Sequence, residues 1–252
     1  MLPGTNIKKK IMKEQKNIIA GRNAVFEAMS GSREIEKLIV QKNSRGVLKD
    51  ILKKARENRI PIRYEDRSNI DKLFNGQHQG VVAFVAAYKY SSVEEILQTD
   101  ETPFIVVLDN IEDPHNLGSV IRSCDGAGVS GVIIPKDRAV GLTATVGKVS
   151  AGAIEHVKVA RVTNIANTID KLKERGIWVA ACDMDGEVYY QKDLTGSIAL
   201  VIGNEGKGIS RLVKEKCDFS VAIPMSGKIN SLNAGNAAAI LMYEVRRQRE
   251  TS

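Results

Sequence analysis

One stretch constrains the fold of this chain more than any other: Ile198–Glu244, IALVIGNEGKGISRLVKEKCDFSVAIPMSGKINSLNAGNAAAILMYE. A short apolar run, Ile198–Ile202, enters the glycine-rich turn Gly203-Asn204-Glu205-Gly206-Lys207-Gly208. A second, Phe219–Ile223, enters Pro224 and a polar loop, and Ser231-Leu232-Asn233 then opens an alanine-rich helix reaching about Arg247. Two strands that each end in a Gly- or Ser-rich loop place a ligand site at the carboxyl ends of a parallel sheet. Gly203, Gly206 and Gly208 let the backbone approach a ligand closely, and Glu205 is the only acid in the turn. The alternative is a glycine-rich connection that binds nothing.

The 252 residues, 43% of them hydrophobic, suffice for one large or two modest domains. No apolar run reaches the roughly 18 to 20 residues that span a bilayer. Ile7–Lys16 is mostly lysine and other polar residues, which speaks against secretion. Cys124, Cys182 and Cys217 are far apart and without CxxC spacing, as expected of a protein kept in the reducing cytoplasm. His78, His115 and His156 form no ligand cluster, so no metal site is expected.

The net charge of +7 is unevenly placed. Residues 1–88 carry 18 Lys and Arg against 9 Asp and Glu; the remainder carries 19 against 21. A basic excess confined to the first third points to a nucleic-acid partner through counterion release, with a solvated basic surface as the alternative.

Met1–Asn17 reads as a basic flexible tail. Residues 18–88 read as a small α/β module: helices at Asn23–Met29, Gly46–Asn58 and Ile70–Leu73, strands at Lys37–Val40, Ile62–Tyr64 and Val81–Ala86. Arg22, His78 and Gln79 mark a face for RNA. Residues 89–101 read as a linker with one amphipathic turn at Val93–Leu97. Residues 102–252 read as a second α/β domain, because Phe104–Leu108 and Gly131–Ile134 are continuous apolar runs of the kind found in strands buried on both faces. At least six strands are expected in it. Asn116 reads as a helix N-cap, with Arg122 about two turns into that helix.

The segments DNIEDPHNLGSVIRSCDGAGVSGVII, VIGNEGKGI and IPMSGKINSLNAGNAAAILMYE resemble, in order and spacing, the three motifs of the SpoU family of RNA 2′-O-ribose methyltransferases. GRNAVFEAM and HQGVVA resemble the substrate-binding domain of its branch that methylates a guanosine ribose in 23S ribosomal RNA. The resemblance implies a parallel-sheet domain with a deep trefoil knot, which periodicity cannot reveal, and a small ribosomal-protein-like N-terminal domain that binds RNA. It implies S-adenosyl-L-methionine as cofactor, with contacts at Gly203, Ile223 and Leu232. It also implies a homodimer, with Ala237, Ala238, Ile240, Leu241 and Tyr243 offering the surface, although the same residues could form internal core. In such a dimer, one subunit's N-terminal domain would feed RNA to the other's site.

A ribose 2′-hydroxyl is a weak nucleophile, so its proton must be removed or its oxyanion stabilised. The resemblance places Asn116, Arg122, Glu205, Ser231 and Asn233 around it. A guanidinium is a poor base, so Arg122 is expected to hold the adjacent phosphate. Structural readings stand beside these: Asn116 and Ser231 as helix caps, Asn233 as a first-turn backbone partner, Glu205 as a residue that orders its turn. Gly235 stands where the family often has serine. Two further functions remain open: an RNA-binding ribosome-associated protein without activity, and a methyltransferase acting on tRNA. A nicotinamide-dependent oxidoreductase is excluded, because no phosphate-binding glycine fingerprint follows the first strand of the second domain.

Overall fold

The computed structural model describes residues 17–30, 34–44, 46–228 and 231–251. Apart from Asn17, the expected basic tail lies outside the described residues, as does Ile229-Asn230 of the last motif. The chain divides into two compact units: Met1–Lys89 with Gly141–Ala144, and Tyr90–Val140 with Thr145–Ser252.

The first unit carries strands β1 (Ile18–Ala20), β2 (Ile35–Gln41), β3 (Ile62–Glu65) and β4 (Val81–Val85), and helices α1 (Arg22–Ala28), α2 (Lys49–Glu57) and α3 (Arg67–Leu73). The sheet order is β1-β4-β2-β3, with only β2 and β3 parallel. Alternation along the strands sets both faces. Leu38, Val40, Val81, Ala83 and Val85 pack with Ile51, Leu52 and Ala55 of α2, while Ile39 and Val82 pack with Ile70 of α3. The three-residue edge strand β1 escaped the sequence reading because it is too short to show a period.

His78 departs from its expected place on an RNA face. It is 4% exposed, its Nε2 lies 2.9 Å from Asp71 Oδ1, and its Nδ1 accepts the Gly80 N–H at 3.0 Å. Its work is to fold the turn before β4. Arg22 and Gln79 stay at the surface, joined by the Arg22 N–H to Gln79 Oε1 bond of 2.9 Å.

The second unit carries β5 (Phe104–Leu108), β6 (Gly131–Pro135), β7 (Val159–Val162), β8 (Trp178–Val188), β9 (Ile198–Ile202) and β10 (Phe219–Ala222). Its helices are α4 (Val93–Leu97), α5 (Pro114–Ala127), α6 (Ala144–Val149), α7 (Ile165–Glu174), α8 (Arg211–Lys216) and α9 (Ala234–Thr251). The sheet order is β10-β8-β9-β5-β6-β7, every pair parallel. β5 and β9 are buried along their whole length, which is why they read as unbroken apolar runs. Of residues 89–101, read from sequence as a linker, all but Lys89 are built into this unit. Ser91 pairs with Ala160, a Ser92–Glu95 capping box starts α4, and Ile96 is fully buried among Ile105, Ile133 and Ala160.

One irregularity shapes the functional end. β10 pairs with β8 at Ser220–Ala181 and next at Val221–Glu187, so residues 182–186 of β8 loop out. Three of the looped-out residues, Cys182, Asp183 and Met184, line a cavity together with the carboxyl end of β9.

Candidate active site

The loops after β5, β9 and β10 meet at the carboxyl edge of the sheet. β5 and β9 are neighbours there, and β6 and β8 continue the sheet in opposite directions, the position at which open α/β sheets form a crevice.

The β5 loop ends in α5, whose N-cap is Asp113 rather than Asn116. Asp113 Oδ1 accepts the His115 N–H at 2.8 Å, with Pro114 at the first helical position. Asn116, 7% exposed, is thereby free to bond outward. Its Nδ2 donates to Glu205 Oε1 at 2.8 Å, and its Oδ1 accepts from Asn233 Nδ2, also at 2.8 Å. Asn233 Nδ2 also donates to Glu205 Oε1, at 2.5 Å, and the Ala234 N–H reaches the same oxygen at 3.2 Å. Three residues, from the first turn of α5, the β9 loop and the residue before α9, form a closed triangle. Glu205 therefore does more than order its own turn.

Asn233 has a second task. Its Oδ1 accepts the Gly235 and Asn236 N–H groups at 3.0 and 3.3 Å, so it caps α9 while its amide nitrogen completes the triangle. Ser231 is not the cap; α9 starts three residues later. At Gly235, where the family often has serine, an added Cβ would lie 3.0 Å from Ser119 Oγ and 3.1 Å from Asn233 Oδ1. A small side chain fits there only if Ser119 on α5 gives way slightly.

All three donors crowd Oε1 of Glu205. Among the described residues no donor reaches Oε2, and the side chain is exposed. A carboxylate held by one oxygen presents the other to an incoming hydroxyl. Arg122 lies on α5 outside the triangle; it is exposed and, among the described residues, has no hydrogen-bonding or ionic partner. The expected set is thus partly assembled: Asn116, Glu205 and Asn233 interlock, Ser231 lies nearby in the cavity wall, and Arg122 is left available.

Beside the triangle is a cavity of about 410 Å³. Its walls are the β8 bulge (Cys182, Asp183, Met184), the β9 loop from Ile202 to Gly208, Val221, Ile223 and Met225 at the end of β10, and Ser231, Leu232, Ala234, Ala237 and Leu241 around the start of α9. Gly203, Ile223 and Leu232, named from sequence as cofactor contacts, all line it. The bulge residues were not foreseen, because nothing in CDMDG announces a break in register. Burial acts to raise the Asp183 carboxyl, but the Lys214 ammonium at 2.9 Å and the Asp185 N–H at 3.2 Å outweigh it and hold the group below the usual range. Burial pushes the Cys182 thiol well above its ordinary range, so it faces the cavity as a neutral SH.

Residues 103–243 match the SpoU rRNA Methylase family, and residues 18–91 match the RNA 2′-O ribose methyltransferase substrate binding family. The chain belongs to the SpoU rRNA methylase family.

Within the SpoU family, it is similar to YacO of Bacillus subtilis (strain 168), described as a TrmH family tRNA/rRNA methyltransferase. The two are 49% identical over 244 residues, covering 94% of this chain and 98% of that one. Among solved structures it is similar to the SpoU methyltransferase AviRb from Streptomyces viridochromogenes in complex with the cofactor AdoMet. That likeness has a TM-score of 0.61 and 26% identity, over 93% of this chain and 91% of that one. The A. aeolicus TrmH/SpoU tRNA modifying enzyme matches with a TM-score of 0.55 and 30% identity, over 62% of this chain and 80% of that one. The all-parallel six-stranded sheet fits the knotted fold of the SpoU family. Among the described residues there is no cluster of His, Cys, Asp and Glu fit for a metal, and no helix is long and apolar enough to cross a membrane.

Proposed function

We propose that this S-adenosylmethionine-dependent RNA methyltransferase acts on a ribose 2′-hydroxyl, with a guanosine of 23S ribosomal RNA as target. The observation that carries the reading is the Asn116–Glu205–Asn233 triangle set against the cavity at the ends of β8, β9 and β10. A cavity of about 410 Å³ falls in the range of small-molecule sites, roughly 300–1,000 Å³. Its apolar wall, Val221, Ile223, Leu232 and Leu241, suits an adenine ring, and the Asp183 and Glu205 carboxylates suit a cationic ligand. S-adenosylmethionine supplies, when bound, a methyl group on a positively charged sulfur. The chain's own residues supply the rest. Asn116 and Asn233 fix one oxygen of Glu205, and the other accepts the hydrogen of the ribose hydroxyl, raising its nucleophilicity. Arg122, uncommitted on α5, grips the neighbouring phosphate with its two-pronged guanidinium.

The ribosomal target is supported by the substrate-binding module at residues 18–91 and by the basic excess of that region. The tRNA-modifying A. aeolicus relative matches only 62% of this chain. Incubating the protein with methyl-labelled S-adenosylmethionine and bulk ribosomal RNA tests the activity; cofactor binding without transfer would favour an inactive RNA binder. Mapping 2′-O-methyl groups in a deletion strain against its parent tests the target; a mark lost from tRNA instead would remove the ribosomal assignment. Both belong to a cytoplasmic enzyme.

Arg122→Lys keeps the charge and loses the fork. It is expected to lower kcat/KM by about tenfold or more, the equivalent of one charge-assisted hydrogen bond of roughly 1.5–3 kcal/mol. Turnover near that of the wild type would remove the bidentate role.

The protein is read as a homodimer built on α9. Along this helix Ala238 and Leu241 belong to the chain's own core, whereas Ile240 and Tyr243 are 37% and 51% exposed. Ala237 lines the cavity, and the exposure of Ile240 and Tyr243 supports the reading of that face of α9 as an interface. Light scattering is expected to give twice the 27.6 kDa chain mass, and a monomer at working concentration would refute the assembly.

A further inference from the structure

The β9 loop brings Glu205 to the triangle, yet Glu205 itself is exposed and glycines surround it. A loop of this composition pays a large conformational entropy to hold one geometry, so something must hold it. Two side chains outside the triangle do.

Asp109, at the end of β5, is 4% exposed. Its Oδ2 accepts the Ser210 N–H at 2.7 Å, across the sheet edge at the far end of the loop, and its Oδ1 accepts Asn110 Nδ2 at 2.9 Å. Asn110 adopts a left-handed backbone (φ 61°), which leaves its carbonyl to accept Asn204 Nδ2 at 3.1 Å. Asn204 Oδ1 turns back into the loop and accepts the Gly206 and Lys207 N–H groups at 2.9 and 3.3 Å. The backbones of Asn204 and Gly208 close the loop with reciprocal bonds of 3.1 and 2.7 Å. The loop is thus pinned at one end by Asp109 and folded from within by Asn204, and Glu205 sits on the segment between them.

We propose that Asp109 and Asn204 are positioning residues for methyl transfer: together they clamp the 203–208 loop to the end of β5, so that Glu205 meets Asn116 and Asn233 before substrate arrives. This rests on the functional reading above. Neither residue is placed at the ribose hydroxyl or the transferred methyl group. Asn204 belongs to the stretch that lines the cavity, but its side-chain hydrogen bonds run to Asn110, Gly206 and Lys207, and both residues act on the rate through Glu205. Misplacing a reacting group by about 1 Å costs on the order of a hundredfold in rate, and a loop released from the clamp loses that precision.

The test is a kinetic cycle on the full-length protein with ribosomal RNA. Asn204→Ala removes both the tie to Asn110 and the internal turn bonds, and is expected to lower kcat by about 10- to 100-fold while KM for RNA stays within about threefold. Asn204→Asp keeps the two acceptor bonds within the loop and loses only the donation to Asn110, so its kcat is expected between the two. Asp109→Asn keeps an acceptor for the Ser210 N–H, turns its NH₂ toward the Asn110 amide nitrogen and should fold where Asp109→Ala does not; with the pin to Ser210 kept, it is expected to lose less kcat than Asn204→Ala. In a Glu205→Gln background, Asn204→Ala is expected to cost less than threefold, because effects passing through one group do not add. Equal cost in both backgrounds, or wild-type kcat in Asn204→Ala, overturns the positioning role. A wild-type protein that transfers no methyl group overturns the functional reading itself, and this inference with it.

Discussion

Glu205→Gln is expected to lower kcat for methyl transfer by roughly 10²- to 10⁴-fold, the usual span for losing a positioned proton acceptor, with little change in stability. The direction follows from how the carboxylate is held. Oε1 takes three N–H donors, from Asn116, Asn233 and Ala234, so the amide of a glutamine must turn its oxygen to that side. Its NH₂ then occupies the place of Oε2 and cannot accept a hydrogen from the ribose hydroxyl. The triangle survives and the chemistry does not. The side chain is exposed, so the melting temperature should stay within the small range of surface substitutions, about 0.5 kcal/mol in stability. Cofactor affinity measured by calorimetry should also hold. A variant with wild-type single-turnover rate would show that Glu205 only builds the loop.

Gly203→Ala is expected to cost the cofactor site. A Cβ at this position falls inside the backbone of Gly208 and Ile209, where no side chain can rotate away. The turn must open to admit it, and Gly203, Glu205 and Gly208 all line the cavity. Strain of this kind costs about 1–3 kcal/mol, and each 1.4 kcal/mol is a factor of ten in affinity. If binding S-adenosylmethionine has to restore the native turn, its Kd rises by about five- to 150-fold. Calorimetric titration measures this directly. Wild-type affinity would mean that the backbone of this loop does not contact the donor. The two variants separate the roles of the loop, since one is expected to lose turnover with binding intact and the other to lose binding.

The parallel sheet was legible in the sequence because burial on both faces leaves unbroken apolar runs, as in Phe104–Leu108 and Ile198–Ile202. Helices were found wherever an apolar face recurred at helical spacing, as in α2. Several short elements were not: β1 has three residues, and α6 and α8 have six each, which leaves little room for a period to show. Caps were misplaced for a different reason. Asn116 and Ser231 are the residue types that cap helices, but so is Asp113, and Asn233 serves as cap and site residue at once. Residue type limits what a side chain can bond to; it does not say which neighbour will be there.

The sequence by itself determined the α/β class and the parallel strands, because burial on both faces shows in local composition; the order of its motifs carried the family resemblance, and with it the candidate site residues Asn116, Arg122, Glu205, Ser231, Asn233, Gly203, Ile223 and Leu232. Only the tertiary structure decided that three of these form one hydrogen-bonded triangle, that Arg122 stands apart from it, that residues 90–101 anchor to the second unit through buried Ile96, and that a looped-out stretch of β8 lines the cavity. These depend on contacts between residues up to 117 positions apart and on strand register. Both are set by how distant apolar surfaces pack together.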